Sequence, residues 1–155
     1  MNYSDDQYTD TWEGAAYRTV LRFELDAPIK GEPDYPKLYE NGMFGTLAKY
    51  AWSEIRATQE WTIEDMIFLL ASKQHDYGHA NITKFGSQGV EVRLYDKVVR
   101  YENLGERVVR GHDVSNESIT DTLIDMIGYV IIWHMLKQNE FSLPLEADRT
   151  DKENQ

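Results

Sequence analysis

The sequence predicts a mainly α protein, a bundle of about four helices in a single domain. Four segments carry apolar residues at the three- and four-residue spacing of amphipathic helices, at 43–57, 63–74, 89–104 and 116–138. The chain has 155 residues, of which 41% are hydrophobic, and this is enough for one buried core. We therefore expect a helical domain over 15–141, between a flexible lead-in at 1–14 and a disordered acidic tail at 142–155.

The segment before the first predicted helix allows two interpretations. Residues 17–25 alternate in part between apolar and charged side chains. The apolar set is Leu21, Phe23 and Leu25, which favours a small β-strand near the N-terminus. The same residues also suit the end of a short helix. Residues 26–36 contain three of the four prolines, so we expect a loop there.

A short segment rich in functional side chains separates the second and third predicted helices. Thr62 is expected to cap the helix at 63–74, with Asp65 three residues on as an acidic variant of the capping box. Gly78 suits the C-terminal end of that helix. Glycines punctuate residues 75–89, so we expect a loop with one short helical turn.

The helix at 116–138 places three carboxylates on one side. Glu117, Asp121 and Asp125 lie four residues apart, and the opposite half of the helix is almost wholly apolar. No Lys or Arg lies between Glu117 and Lys137 to neutralise these acids. Like charges at this spacing cost about 0.2–0.5 kcal/mol per pair. A Mg²⁺ ion held by the three carboxylates would offset that cost. The alternative is an ordinary solvated or salt-bridged face.

The helix at 89–104 concentrates cations in a chain whose net charge is -11. One face of this helix carries Arg93, Asp96, Lys97, Arg100 and Asn103. Arg can bind two phosphate oxygens at once and Lys serves as a point charge, so this face suits phosphate recognition. The alternative is that these cations form salt bridges with the acids of the helix at 116–138.

Residues 75–79 offer two imidazoles, a carboxylate and a phenol. His75 or His79 would act as a general base or orient a nucleophile, and Asp76 is a further catalytic candidate. The i,i+4 spacing of the two histidines also suits zinc, although Gly78 between them weakens that arrangement. A loop that faces a nucleobase is another interpretation. A structural turn in which Asp76 caps backbone groups is the favoured alternative.

The composition excludes several classes of function. Acidic residues outnumber basic residues by 27 to 16, which disfavours duplex DNA or RNA as a partner. No cysteine is present, which excludes disulfides and thiolate chemistry and fits a reducing cytoplasm. The sequence has no P-loop, dinucleotide fingerprint or serine-hydrolase elbow. The polar N-terminus is no signal peptide, and no apolar run is long enough to suggest a membrane as partner.

Three motifs together resemble a known family. They are DYG at 76–78, VRLYDKVVRYENL at 92–104 and ESITDTLIDMIGYVII at 117–132. In this order and spacing they are similar to the first type of nucleotide-modification-associated domain, which is widespread in bacteriophage and bacterial genomes. The matching positions are Asp76, Tyr77, Gly78, Asp96, Lys97, Arg100, Asn103, Glu117, Asp121, Thr122, Asp125 and Tyr129. The resemblance implies a small, helical, oligomeric phage protein that binds or acts on nucleotides.

A looser similarity is to the all-α nucleoside triphosphate pyrophosphatases, which hold Mg²⁺ with acidic pairs on two helices. Their ExxE and ExxD pairs are missing from this chain. The acids of the helix at 116–138 have three intervening residues, and the helix at 63–74 carries only Glu64 and Asp65 near its start.

These observations predict a phage-type, nucleotide-processing protein of the host cytoplasm that uses Mg²⁺ to hydrolyse a phosphate bond of a (deoxy)nucleotide or to modify the nucleotide. The expected substrate contacts are Tyr77, Arg93, Lys97, Arg100, Asn103 and Tyr129. One alternative is a protein that binds or sequesters a nucleotide without turnover, and another is an interaction or scaffold module. Trp133 and Met135, near the end of a very apolar helix, predict a homo-oligomer.

Overall fold

The computed structural model describes residues 2–153, except the side chains of Asn116 and of residues 150–153. Within this part of the chain there are seven α-helices, one 3₁₀ turn and no strand. The helices are α1 (Trp12–Arg22), α2 (Tyr35–Glu40), α3 (Phe44–Thr58), α4 (Ile63–Tyr77), α5 (Ala80–Val109), α6 (Asn116–Lys137) and α7 (Glu146–Glu153), and the 3₁₀ turn is Asp6–Tyr8. The mainly α class is therefore confirmed, but the helices are more numerous than the predicted four.

The small β element predicted near the N-terminus is wrong. Residues 17–25 are the second half of α1 and the turn that follows it. The Thr11 side chain accepts a hydrogen bond from the Gly14 N–H at 3.1 Å and so caps the start of the helix. The segment that alternates in part spans two structures, namely the last turns of α1, which ends at Arg22, and the turn that follows, in which Glu24 has φ 50°. Three apolar residues are too few to distinguish a strand from this helix end.

The predicted flexible lead-in contributes to the core. Tyr3 and Tyr8 are 3% and 6% exposed, and their rings meet edge to face with centroids 5.0 Å apart.

The proline-rich segment also contains a helix that the sequence analysis missed. The Asp34 side chain accepts a hydrogen bond from the Lys37 N–H and starts α2, which buries Tyr35.

The central helix of the protein is α6, which packs most extensively against α5 and then against α3 and α1. Its predicted apolar half is buried, and the fully enclosed side chains are Ile124, Met126, Ile127, Val130 and Ile131. Residues Glu117–Lys137 are long and apolar enough to cross a membrane by length and composition alone. However, 56% of the most apolar window is buried inside the protein, as expected for a core helix.

The predicted end signals of α4 are confirmed. The Thr62 and Asp65 side chains each accept a hydrogen bond from the other residue's backbone N–H, at 3.1 and 2.9 Å, which completes the capping box. Gly78 ends the helix with φ 73°. The next helix begins earlier than predicted, at Ala80, and it breaks at Gly86, where φ is 64°. The predicted glycine-punctuated loop is therefore mostly helical.

The C-terminal segment closes against α1. Leu145, at the start of the predicted tail, is 4% exposed and α7 follows it, whereas the last two residues of the tail lie outside the described part. Pro144 O accepts a hydrogen bond from the Trp12 N–H at 2.9 Å. Both Glu13 carboxylate oxygens accept from the Glu146 N–H, at 3.2 and 3.1 Å. Burial raises the pKa of Glu13 above its ordinary value.

The close approach of the 3₁₀ turn to α1 predicts that Gly14→Ala is strongly destabilising. A Cβ at Gly14 would overlap the backbone carbonyl of Tyr8, which cannot move without displacing the buried Tyr8 ring. We expect a loss of about 3 kcal/mol in the free energy of unfolding, the upper end for overpacked sites. The matched control is Gly105→Ala, an open position in α5, which should gain about 0.5–1 kcal/mol. Equal urea midpoints for the two variants would contradict the packing described.

The raised pKa of Glu13 predicts a pH dependence that Glu13→Gln removes. A carboxyl whose folded-state pKa is raised binds its proton more tightly in the folded protein. Its contribution to stability is complete below the ordinary pKa of 4.5 and is lost as pH rises through the folded-state value. Urea unfolding from pH 4 to pH 8 should therefore show the wild type losing stability relative to Glu13→Gln as pH rises. A difference that stays constant would rule out this linkage.

Candidate functional site

A cavity of about 310 Å³ lies between α4, α5 and α6, with α1 at one side. Its wall has an apolar part and a polar part. The apolar part consists of Trp12, Leu70, Ile82, Gly128 and Ile132. The polar part consists of Lys73, Gln74, Tyr77, Asn81, Arg93, Asp125 and Tyr129, with the Gly78 backbone beside them. The apolar residues are mostly buried, whereas Tyr77 at the rim is 81% exposed.

Asp125 is the electrostatic centre of this cavity. Its Oδ1 accepts a hydrogen bond from Lys73 Nζ at 3.0 Å, and its Oδ2 lies 3.0 Å from Lys97 Nζ. One carboxylate thus joins a cation of α4 and a cation of α5 to α6. The three side chains keep between 24% and 35% of their area exposed, so a ligand can reach them. The contact between Lys97 of α5 and Asp125 of α6 is the kind of salt bridge that the sequence offered as an alternative to a ligand site.

The predicted metal triad does not come together. Glu117 and Asp121 are exposed, whereas Asp125 is occupied by two lysines. Among the described residues, no group of three or more His, Asp and Glu side chains is arranged to hold a metal ion. The geometry of the described residues therefore gives no support to the predicted Mg²⁺ site, which remains a prediction from the sequence alone.

Three of the six predicted substrate contacts lie on the cavity wall, namely Tyr77, Arg93 and Tyr129. Lys97 reaches the cavity through its contact with Asp125. The other two, Arg100 and Asn103, line a separate surface groove with Arg107 and Arg110. There the Arg100 Nε donates a hydrogen bond to Thr122 Oγ1 at 3.2 Å.

The predicted catalytic residues are not on this cavity. His75 and Asp76 line a second cavity, of about 480 Å³, on the other side of α4. They are exposed and lie close to each other, with His75 Nδ1 3.7 Å from Asp76 Oδ1. His79 is half-buried, with its ring edge to face with Phe141 and its Nδ1 3.0 Å from Gln74 Nε2. His75 and Asp76 thus lie away from the cationic cavity, whereas His79 contacts the cavity wall through Gln74.

Four lining residues with polar or aromatic side chains escaped the sequence analysis: Trp12, Lys73, Gln74 and Asn81. Lys73 had a usable signal, since it lies four residues before Tyr77 and so shares its helical face. Trp12 had none, because it comes from a distant part of the chain. Its indole Nε1–H is buried and has no hydrogen-bond partner within residues 2–153, which is uncommon for a buried donor.

No family model, curated protein or solved structure matches this chain. The function is therefore inferred from the geometry of the cavity, together with the resemblance of the three motifs described above.

The bridging role of Asp125 predicts that two acids on one helical face respond differently to neutralisation. Asp125→Asn removes the charge that pairs with both Lys73 and Lys97 and leaves the two ammonium groups facing each other. We expect a loss of about 1–2 kcal/mol, reduced from the full value for charged hydrogen bonds because the site is partly exposed. Asp121→Asn, one turn earlier and exposed, should change stability by less than about 0.5 kcal/mol. Denaturant unfolding of the two variants measures the difference, and equal effects would argue against the bridge.

Proposed function

We propose that this protein binds a nucleotide in the cavity between α4, α5 and α6. The observation that carries the proposal is that one cavity combines cations, tyrosine rings and a buried apolar wall. A nucleotide has the matching parts, which are an anionic phosphate, a sugar and a flat, largely apolar base. Ligand pockets in proteins commonly pair an apolar lining with a few polar groups that fix orientation.

The cationic part of the cavity suits the phosphate. Lys73 and Arg93 line it from α4 and α5, and Lys97 is held at its edge by Asp125. The Arg93 guanidinium can bind two phosphate oxygens, whereas each lysine supplies a compact charge. Asp125 balances the lysines and keeps their ammonium groups in place for an incoming anion.

The apolar part suits the base. Leu70, Ile82 and Ile132 offer a surface from which a base would displace water. Tyr77 and Tyr129 stand beside this surface, and a base can stack on such rings whatever its identity. These contacts explain binding of a base without selecting among the four bases.

The resembling motifs support the same ligand class. Tyr77 and Gly78 of the first motif and Asp125 and Tyr129 of the third all line the cavity. The second motif contributes Lys97, which contacts Asp125. Five of the twelve positions that carry the resemblance to a nucleotide-modification-associated domain thus lie at the cavity.

Turnover is a separate proposition. Hydrolysis or modification of the nucleotide with Mg²⁺ remains a prediction from the sequence, and no reaction step is assigned to the side chains of the cavity.

The predicted homo-oligomer also remains a prediction, but the two residues on which it was based have contacts within one chain. Met135 is fully buried, and the Trp133 Nε1–H donates a hydrogen bond to Glu91 Oε1 at 3.0 Å within the same chain.

The proposal is tested by mass spectrometry of a mixed pool of ribo- and deoxyribonucleotides incubated with the protein, with and without Mg²⁺. We expect one or a few nucleotides to be retained on the protein after rapid desalting. A metal-dependent loss of one species with a matching product would add catalysis to the binding function. A pool that is unchanged and not retained would contradict the proposal and favour the interaction module.

The position of Tyr77 predicts a specific loss of nucleotide binding in Tyr77→Ala. Because this ring is 81% exposed, its removal should change stability by less than about 0.5 kcal/mol. Loss of a stacking contact should weaken binding of the retained nucleotide by about five- to a hundredfold. The matched control is Phe68→Ala, an exposed ring on the same helix that lines the second cavity. Equal affinity in both variants, measured by equilibrium dialysis, would place the ligand elsewhere.

A further inference from the structure

We infer that the ligand of this cavity is a nucleoside monophosphate, with the single phosphate held by Lys73, Arg93 and Lys97. This inference rests on the proposed nucleotide-binding function and narrows it to one phosphorylation state. Three observations carry it, namely the charge balance of the cavity, the placement of the remaining cations and acids, and the cavity volume.

The charges at the cavity sum to a small positive value. Lys73, Arg93 and Lys97 supply three positive charges and Asp125 supplies one negative charge, so the net charge is +2. A phosphate monoester carries about −1.5 to −2 charges at neutral pH. One phosphate group therefore neutralises the cavity. Each further phosphate of a di- or triphosphate would add negative charge that these cations do not balance.

Among the described residues, no cation besides Lys73 and Arg93 lines the cavity, and Lys97 is held beside it by Asp125. Of the other cations of α5, Arg100, Arg107 and Arg110 line a separate groove, and Lys84 Nζ lies over the Phe85 ring, 5.5 Å from its centroid. A divalent cation bound by the protein would need a cluster of acids, and none is arranged for this among residues 2–153. The protein as a whole has a net charge of -11, so an unbalanced polyphosphate would also be repelled at longer range.

The volume agrees with a small ligand. Pockets that enclose drug-sized molecules span roughly 300–1,000 Å³. This cavity, at about 310 Å³, lies at the lower end of that range. It suits a single base, sugar and phosphate better than a nucleotide with an extended phosphate chain.

The experiment compares each nucleoside with its 5′-monophosphate and 5′-triphosphate by calorimetry. The probes are the thymidine, deoxycytidine, deoxyadenosine and deoxyguanosine series and their ribose counterparts, first in EDTA and then in Mg²⁺. For at least one series, we expect the monophosphate to bind more tightly than the nucleoside and the triphosphate in both buffers. Charged hydrogen bonds to the phosphate should give about a tenfold to hundredfold advantage over the nucleoside.

Lys73→Met tests whether the cavity cations read the phosphate. This variant should lose most of the monophosphate advantage while its affinity for the nucleoside changes by less than about threefold. A purely structural effect would weaken both ligands equally. The control is Lys37→Met, which changes the net charge by the same amount at an exposed position of α2, and it should leave both affinities unchanged.

The outcomes separate this inference from the proposed function. If a triphosphate binds as tightly as its monophosphate, or if the nucleoside binds as tightly as both, the monophosphate assignment is wrong. The proposal that the cavity binds a nucleotide would still stand. A monophosphate advantage that survives Lys73→Met also overturns the assignment. If no probe binds at all, the proposed function itself fails.

Discussion

The Asp125 carboxylate, shared by Lys73 and Lys97, is the interaction on which the candidate site depends. The ammonium groups of the two lysines come from different helices and repel each other. The carboxylate between them offsets this repulsion, because it lies 3.0 Å from each ammonium group. The bridge holds α4 and α5 at fixed positions beside α6, and a cavity remains between the three helices. It also keeps two cations at the edge of that cavity without neutralising both.

The bridge can form only because α6 has two different faces. One face is enclosed in the core, and its burial fixes the helix in depth and rotation. Gly128 lies one turn after Asp125 at a close approach, because a Cβ there would come within 2.9 Å of Leu70 Cδ2. The absence of that Cβ leaves room for the Leu70 side chain of α4 on the turn of α6 next to Asp125. Sequence, packing and site electrostatics are thus linked through one turn of helix.

Several features that depend on neighbouring residues were predicted, and those that depend on distant contacts were not. The cap at Thr62 and the two faces of α6 follow from local spacing, and both are present. The start of α1 was missed although its Thr11 cap is local, because the polar residues 1–14 were assigned to a flexible lead-in. Asp125 was predicted as a ligand of Mg²⁺, whereas in the structure it bridges Lys73 and Lys97. A sequence shows that an acid lacks a partner on its own helix, whereas its partners on two other helices appear only after folding.

The most direct test of the account is an NMR titration that follows the indole N–H signals of the four tryptophans. Trp12 lines the cavity, whereas Trp52 and Trp133 donate to Asp26 and Glu91 at 2.6 and 3.0 Å outside it. With signals assigned from Trp→Phe variants, nucleoside monophosphates should shift the Trp12 signal most and leave that of Trp52 nearly unchanged. A Trp12 signal that stays in place while bound nucleotide moves the other indole signals would show that the ligand lies elsewhere, and the central claim would be wrong.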